Sequence, residues 1–299
     1  MNAEMGTTGC GLVLEGGAFR GLFTMGVCDM MMQHDLWPEA LVGVSAGAAF
    51  GCNYKSRQPG RALRYNKRFA HDRRYSGWHS LLTTGNYFNA EFAYHTMPRQ
   101  LDVFDTVAYE ANPMRFIVVC TNAATGEAVY RELPHPTDDA FDWIRASASM
   151  PIVSRVVELE GMKLLDGGAA DSIPLQYMEQ QGWRRNVVIL TQPRGFVKQP
   201  TPFMPLLRLA LRHYPLMADA LAQRHVMYNQ QLCYVSKAEQ QGRCLVISPP
   251  EPIKIAHLSH DATAMQRVYD MGVAEGKRRM ADIIRFMRGG GRRGDEEIE

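Results

Sequence analysis

Apolar residues recur along this chain with a period that switches between that of a strand and that of a helix. Gly11-Leu12-Val13-Leu14-Glu15 is a short apolar run stopped by Gly16-Gly17, after which Leu22, Met25 and Met30 recur at helical spacing up to His34. That pattern predicts a strand, a glycine turn and a helix. Trp37-Pro38 breaks the helix, Ala40 to Val44 predicts a second buried strand, and a helix of small residues begins at about Ser45. Further buried strands are expected at 116–121, 163–166 and 187–191, the first with a hairpin-like partner at 128–133, and helices at 139–149 and 175–181. Strands separated by helices predict an α/β fold, a mainly parallel sheet flanked by helices on both faces. Such sheets gather ligand groups at the carboxyl ends of their strands, which is where Ser45 and Asp166 fall.

Beyond Pro193 the pattern changes. Pro200, Pro202 and Pro205 punctuate a linker, and 206–227 is a long apolar and basic helical stretch interrupted by Pro215. The expected organisation is a catalytic domain over 9–195, a mainly helical C-terminal extension over 196–288 packing on the same domain, and a flexible tail over 289–299. That tail is glycine, arginine and acid with almost nothing apolar to bury.

Composition narrows the classes. With 299 residues, 46% of them hydrophobic, the chain can build one large core, and a net charge of +2 gives no reason to invoke a nucleic-acid partner. The six cysteines form neither a C-x-x-C pair nor a metal-ligand spacing with histidine, so they read as buried reduced thiols, and no metal is expected. The first nine residues lack the basic start and apolar stretch of a secretory signal, and no apolar run reaches bilayer-spanning length. A cytoplasmic protein, at most peripheral to a membrane, is the expectation.

Three motifs carry candidate chemistry. Gly43-Val44-Ser45-Ala46-Gly47 follows a strand and fits the sharp turn that exposes a nucleophilic serine at a helix N-terminus, where positive potential favours a developing alkoxide. Gly16-Gly17-Ala18-Phe19-Arg20-Gly21 is a turn of small residues whose backbone N–H groups can approach a substrate oxygen; Gly17 and Ala18, with Phe19, are the candidate oxyanion donors. Arg20 would anchor that loop or a substrate head group. Asp166-Gly167-Gly168 ends another strand and offers a carboxylate to take the serine's proton, a task that needs burial to raise its basicity.

With these motifs in this order the chain resembles the patatin-like phospholipases, serine acyl hydrolases that use a Ser-Asp dyad. The resemblance rests on Glu15 to Gly21, Gly43 to Gly47 and Asp166 to Gly168, with supporting blocks at Thr121 to Glu127, Arg145 to Pro151 and Asp171 to Pro174. It covers the first two-thirds of the chain. It implies Ser45 and Asp166 as the catalytic pair, Gly16, Arg20, Gly21, Gly43, Gly47, Gly167 and Gly168 as motif support, no cofactor, and a lipid or acyl-ester substrate. One departure is Ala18, where the family usually has another glycine.

Rival readings of the same residues exist. Gly16-x-Ala18-x-x-Gly21 after a strand is a degenerate dinucleotide fingerprint, but Ser45 stands where its acidic partner would be needed. An α/β-hydrolase triad of Ser45, Asp166 and His257 or His260 has its nucleophile too early in the chain. A non-catalytic lipid- or acyl-binding module would keep the scaffold without the chemistry. The basic, aromatic stretch from Lys55 to Trp78 reads as a solvated helix face, with contact to an anionic lipid surface as the rival.

Overall fold

The computed structural model describes residues 9–289, and the tail expected from 289 onward lies outside them apart from Gly289. In chain order the strands are β1 (Cys10–Leu14), β2 (Ala40–Val44), β3 (Arg115–Asn122), β4 (Ala128–Glu132), β5 (Val157–Leu159), β6 (Met162–Asp166), β7 (Arg185–Ile189) and β8 (Cys244–Ile247). The α-helices are α1 (Gly21–Gln33), α2 (Ala46–Lys55), α3 (Arg61–Arg68), α4 (Trp78–Thr84), α5 (Thr106–Ala111), α6 (Asp138–Ser147), α7 (Leu175–Gln180), α8 (Met204–Ala210), α9 (Pro215–Gln240) and α10 (Ala262–Met287). A π-helical segment, Phe92–Leu101, carries Pro98 inside it. Among the described residues no helix is long and apolar enough to cross a membrane.

Among the described residues all eight strands join one sheet in the order β5-β6-β3-β2-β1-β7-β8, with β4 on β3. The central run from β3 through β2, β1 and β7 to β8 is parallel, while β4, β5 and β6 attach antiparallel. The α/β reading therefore holds, as a mixed sheet with a parallel centre. Side chains alternate between the faces: Leu12, Leu14, Leu41 and Val118 pack toward α1, α2 and α10, and Val13, Val42, Val119 and Val188 pack toward α7 and α9. Two strands were not foreseen: β5, three residues long, and β8, a four-residue run within the region read as helical extension.

Backbone register brings two distant segments to one point. Along β3, residues 117–119 pair with β2 and β4 at once, whereas 120 and 121 pair with β4 and β6. Thus β6 takes over the edge that β2 leaves. The strands meet head to head, Val44 opposite Val119 and Asp166 opposite the next residue, Cys120. The residue after β2 is Ser45, so the carboxyl ends of a parallel and an antiparallel strand converge.

Glycines allow the tightest contact outside the sheet, between α1 and α10. A Cβ on Gly272 would lie 2.0 Å from the Phe23 carbonyl oxygen, and one on Gly26 would lie 2.3 Å from that of Tyr269. Backbone thus meets backbone where α10 crosses α1.

Candidate active site

Ser45 sits between β2 and α2 with φ 54° and ψ −118°, a conformation that a non-glycine residue adopts only under constraint. Its neighbours make the turn possible. A Cβ on Gly43 would lie 2.5 Å from the Gly47 carbonyl oxygen, and one on Gly47 would lie 2.4 Å from that of Leu14, so both positions exclude a side chain. Ser147, the last residue of α6, supplies the constraint: its Oγ accepts from the Ser45 N–H at 2.9 Å and donates to the Val119 carbonyl at 2.6 Å.

The Ser45 hydroxyl donates to Asp166 Oδ2 at 2.6 Å. The other carboxylate oxygen of Asp166 accepts from Gly168 N–H at 2.8 Å, and the Asp166 carbonyl accepts from Thr121 Oγ1 at 2.8 Å. Both the serine and the aspartate are buried. Burial is the largest influence on the carboxyl and pushes its pKa up, against the opposing pull of Arg224 and its hydrogen bonds. A carboxylate poised this way is a stronger base than one in water, as proton transfer from a hydroxyl requires.

The glycine turn runs alongside. A Cβ on Gly16 would lie 3.0 Å from Ser45 Cβ, and Ala18 and Phe19 line the same cavity as Ser45. Among the described residues, the N–H groups of Gly17, Ala18 and Phe19 have no protein acceptor. Ala18 adopts φ 48°, so the alanine found where the family has glycine occupies a left-handed conformation. Glu15 anchors the loop's start: its carboxylate accepts from Thr191 N–H at 2.5 Å and from the Tyr228 hydroxyl at 2.7 Å.

The cavity at Ser45 is mostly apolar, walled by Phe50, Tyr65, Tyr94, Met97, Phe141 and Ile144. Here the expectation of a solvated helix over the basic stretch holds only in part. Arg64, Lys67, Arg68, Arg73 and Arg74 are exposed, but Tyr65, Phe69 and Tyr75 are buried. Arg61 is also buried, bonded to Asn53 at 2.7 Å and ion-paired with buried Asp102 at 3.1 Å. Lys55 is buried too, donating to the carbonyls of Asn112 and Met114 at 2.9 and 2.5 Å.

Among the described residues neither histidine of the rival triad bonds Ser45 or Asp166. His260 bonds the Tyr87 hydroxyl at 2.7 Å and the Ala70 carbonyl, and His257, at the cavity wall, accepts from Arg20 Nη1 at 3.2 Å. Reading the sequence missed Ser147, Thr121, Thr191 and Tyr228, whose partners lie 28 to 213 residues away. Only the blocks 145–151 and 121–127 hinted at the first two.

A family model described as patatin-like phospholipase matches residues 12–178, and one described as a domain of unknown function (DUF6363) matches 214–288. The uncharacterized protein YjjU of Escherichia coli (strain K12) is 29% identical over 92% of this chain and 78% of its own length. Lysophospholipase NTE1 of Scheffersomyces stipitis is 26% identical over 58% of this chain, and nte1 of Aspergillus niger 25% over 92%; the chain spans 11% and 18% of those proteins. VipD from Legionella pneumophila, a solved structure, aligns over 94% of this chain and 69% of its own with 11% identity and a TM-score of 0.48. The patatin-like match covers more than half of the chain and contains the glycine turn, Ser45 and Asp166. The chain belongs to the patatin-like phospholipase family, a family of lipid acyl hydrolases.

Proposed function

We propose that this protein hydrolyses carboxylic esters of phospholipids or lysophospholipids through Ser45 and Asp166. Asp166 Oδ2 takes the hydroxyl proton as Ser45 Oγ attacks the ester carbonyl, and the N–H groups of Gly17, Ala18 and Phe19 receive the developing oxyanion. Asp166 then returns the proton to the departing alcohol, leaving an acyl-serine. Water, deprotonated by the same carboxylate, attacks the acyl-serine, and Ser45 is restored as the acid leaves.

The observation that carries this reading is the 2.6 Å hydrogen bond to Asp166 from Ser45, which lines an apolar cavity walled by three helices and the π-helical segment. Relatives named lysophospholipases support the lipid class. We read residues 9–195 as the catalytic unit and 196–288 as a mainly helical extension on the same body, acting in the cytoplasm with peripheral contact to a membrane. A fluorophosphonate probe should label the wild type and not Ser45→Ala, and short nitrophenyl esters should be turned over by the wild type and not by Asp166→Asn. Equal labelling of both proteins, or full turnover by Asp166→Asn, would refute the dyad.

A further inference from the structure

Three basic side chains from separate segments, Arg20, Lys198 and Arg224, gather around the Tyr228–Glu15 contact, and Arg224 also borders Asp166. Arg224, on α9, donates from Nε to the Gly168 carbonyl at 2.6 Å, and its Nη2 lies 3.0 Å from where a Gly168 Cβ would be, with Asp166 Oδ1 3.1 Å from the same point. Arg20, on the glycine turn, reaches His257 at the cavity wall, and its Nε is buried with no acceptor among the described residues. Lys198, in the loop before α8, holds its ammonium 5.1 Å from the centre of the Tyr228 ring. Its backbone is pinned by Asn229, which accepts from Lys198 N–H at 2.8 Å and donates to its carbonyl at 3.0 Å. Tyr228 stands one helical turn after Arg224, on the same face of α9, and its hydroxyl ties that face to Glu15.

The protein neutralises these charges only in part, through the carboxyls of Glu15 and Asp166. Among the described residues none of the three has a carboxylate within 4.0 Å in an ion pair. The two carboxyls nearby are committed: Glu15 to Thr191 and Tyr228, Asp166 to Ser45 and Gly168. The cations bear on one another. Lys198 is pushed down to about 8 by desolvation and then by the charges of Arg224 and Arg20, against the opposing pull of Glu15. Three cations share two carboxyls, and a bound anion would relieve the repulsion that remains.

Resting on the ester-hydrolase reading, we propose that Arg20, Lys198 and Arg224 form the subsite for the phosphate of an anionic lysophospholipid head group, with the C-terminal segment supplying two of the three charges. The guanidinium groups present paired donors to phosphate oxygens and the ammonium a point charge. The acyl chain lies in the apolar cavity, the ester carbonyl at Ser45 and the phosphate at the cations. The extension that follows the patatin-like region thereby selects the substrate.

The test is calorimetric binding of monohexanoyl glycerophosphate and of neutral monohexanoylglycerol to full-length Ser45→Ala protein, which separates affinity from turnover. The phosphate ligand should bind at least about tenfold more tightly, and that gap should shrink about tenfold in Ser45→Ala carrying Lys198→Gln or Arg224→Gln, and in high salt. Lys198→Gln guards against a merely structural effect, because the Lys198 ammonium makes no protein hydrogen bond among the described residues. Equal affinity for the two ligands, or a gap untouched by both substitutions, overturns the proposal. Inorganic phosphate binding as tightly as the acylated phosphate also overturns it, since the site would then serve free phosphate. The expected affinity gap in Ser45→Ala, found beside a wild type that turns over no carboxylic ester, would refute the hydrolase reading and leave the phosphate subsite standing.

Discussion

Removing one hydroxyl from α6, in Ser147→Ala, tests whether the strained turn at Ser45 is held by its surroundings. Ser147 is fully buried, so no water replaces what is lost. The Ser45 N–H loses its acceptor at 2.9 Å, and a buried donor left unpaired costs about 1–3 kcal/mol. The Val119 carbonyl loses a donor at 2.6 Å, adding about 1 kcal/mol. Together these predict a loss of about 2–4 kcal/mol, readable as a fall in urea midpoint at unchanged slope. The kinetic consequence is separable. Ser45 at φ 54° stores about 1–3 kcal/mol of backbone strain, and without its tether the turn relaxes and carries Oγ away from Asp166. Misplacement by about 1 Å costs on the order of a hundredfold in kcat, whereas KM for a short ester changes little because the cavity walls stay in place. Nitrophenyl-ester kinetics beside the denaturation curve read both quantities. Wild-type kcat together with a stability loss under about 0.5 kcal/mol would show that the turn needs no such tether.

Two further outcomes follow from burial and close packing. Because burial raises the Asp166 pKa and the base must be ionised, kcat/KM should fall as pH drops through a value above the ordinary carboxylate range. Folded-state stability should not fall with it between pH values of about 7 and 5. Glu15, Asp29 (pushed up to about 6) and Asp171 are likewise raised by desolvation, so the folded chain binds protons more readily than the unfolded one. An acid limb coinciding with unfolding by circular dichroism would refute this account. In Gly272→Ala the added methyl would meet the Phe23 carbonyl oxygen at 2.0 Å, forcing α10 off α1 at a cost of about 3 kcal/mol or more. An unchanged urea midpoint would mean that the helices do not meet backbone to backbone.

Most of the layered fold was legible in the chain because its signals are local. The runs at Gly11 to Glu15 and Ala40 to Val44 sit between glycine, proline and helical periodicity, and they form β1 and β2. Short elements were not legible: β5 has three residues and β8 four, too few for a period to establish itself. Along the basic stretch, period and composition could not say that Lys55 and Arg61 would point inward, because their burial depends on carbonyls and a carboxylate more than 40 residues away.

The sequence by itself determined the parts: a serine on a turn closed to side chains by Gly43 and Gly47, a small-residue loop before it, and an aspartate at a strand end. Only the tertiary structure decided that they meet. Ser45 and Asp166, 121 residues apart, come within 2.6 Å because β2 and β6 end against consecutive residues of β3, a register set by long-range backbone pairing. The same holds for Ser147 and the Arg20, Lys198 and Arg224 cluster. Hydrogen bonds and charge interactions depend on distance in space, and that distance is fixed only when the core has packed.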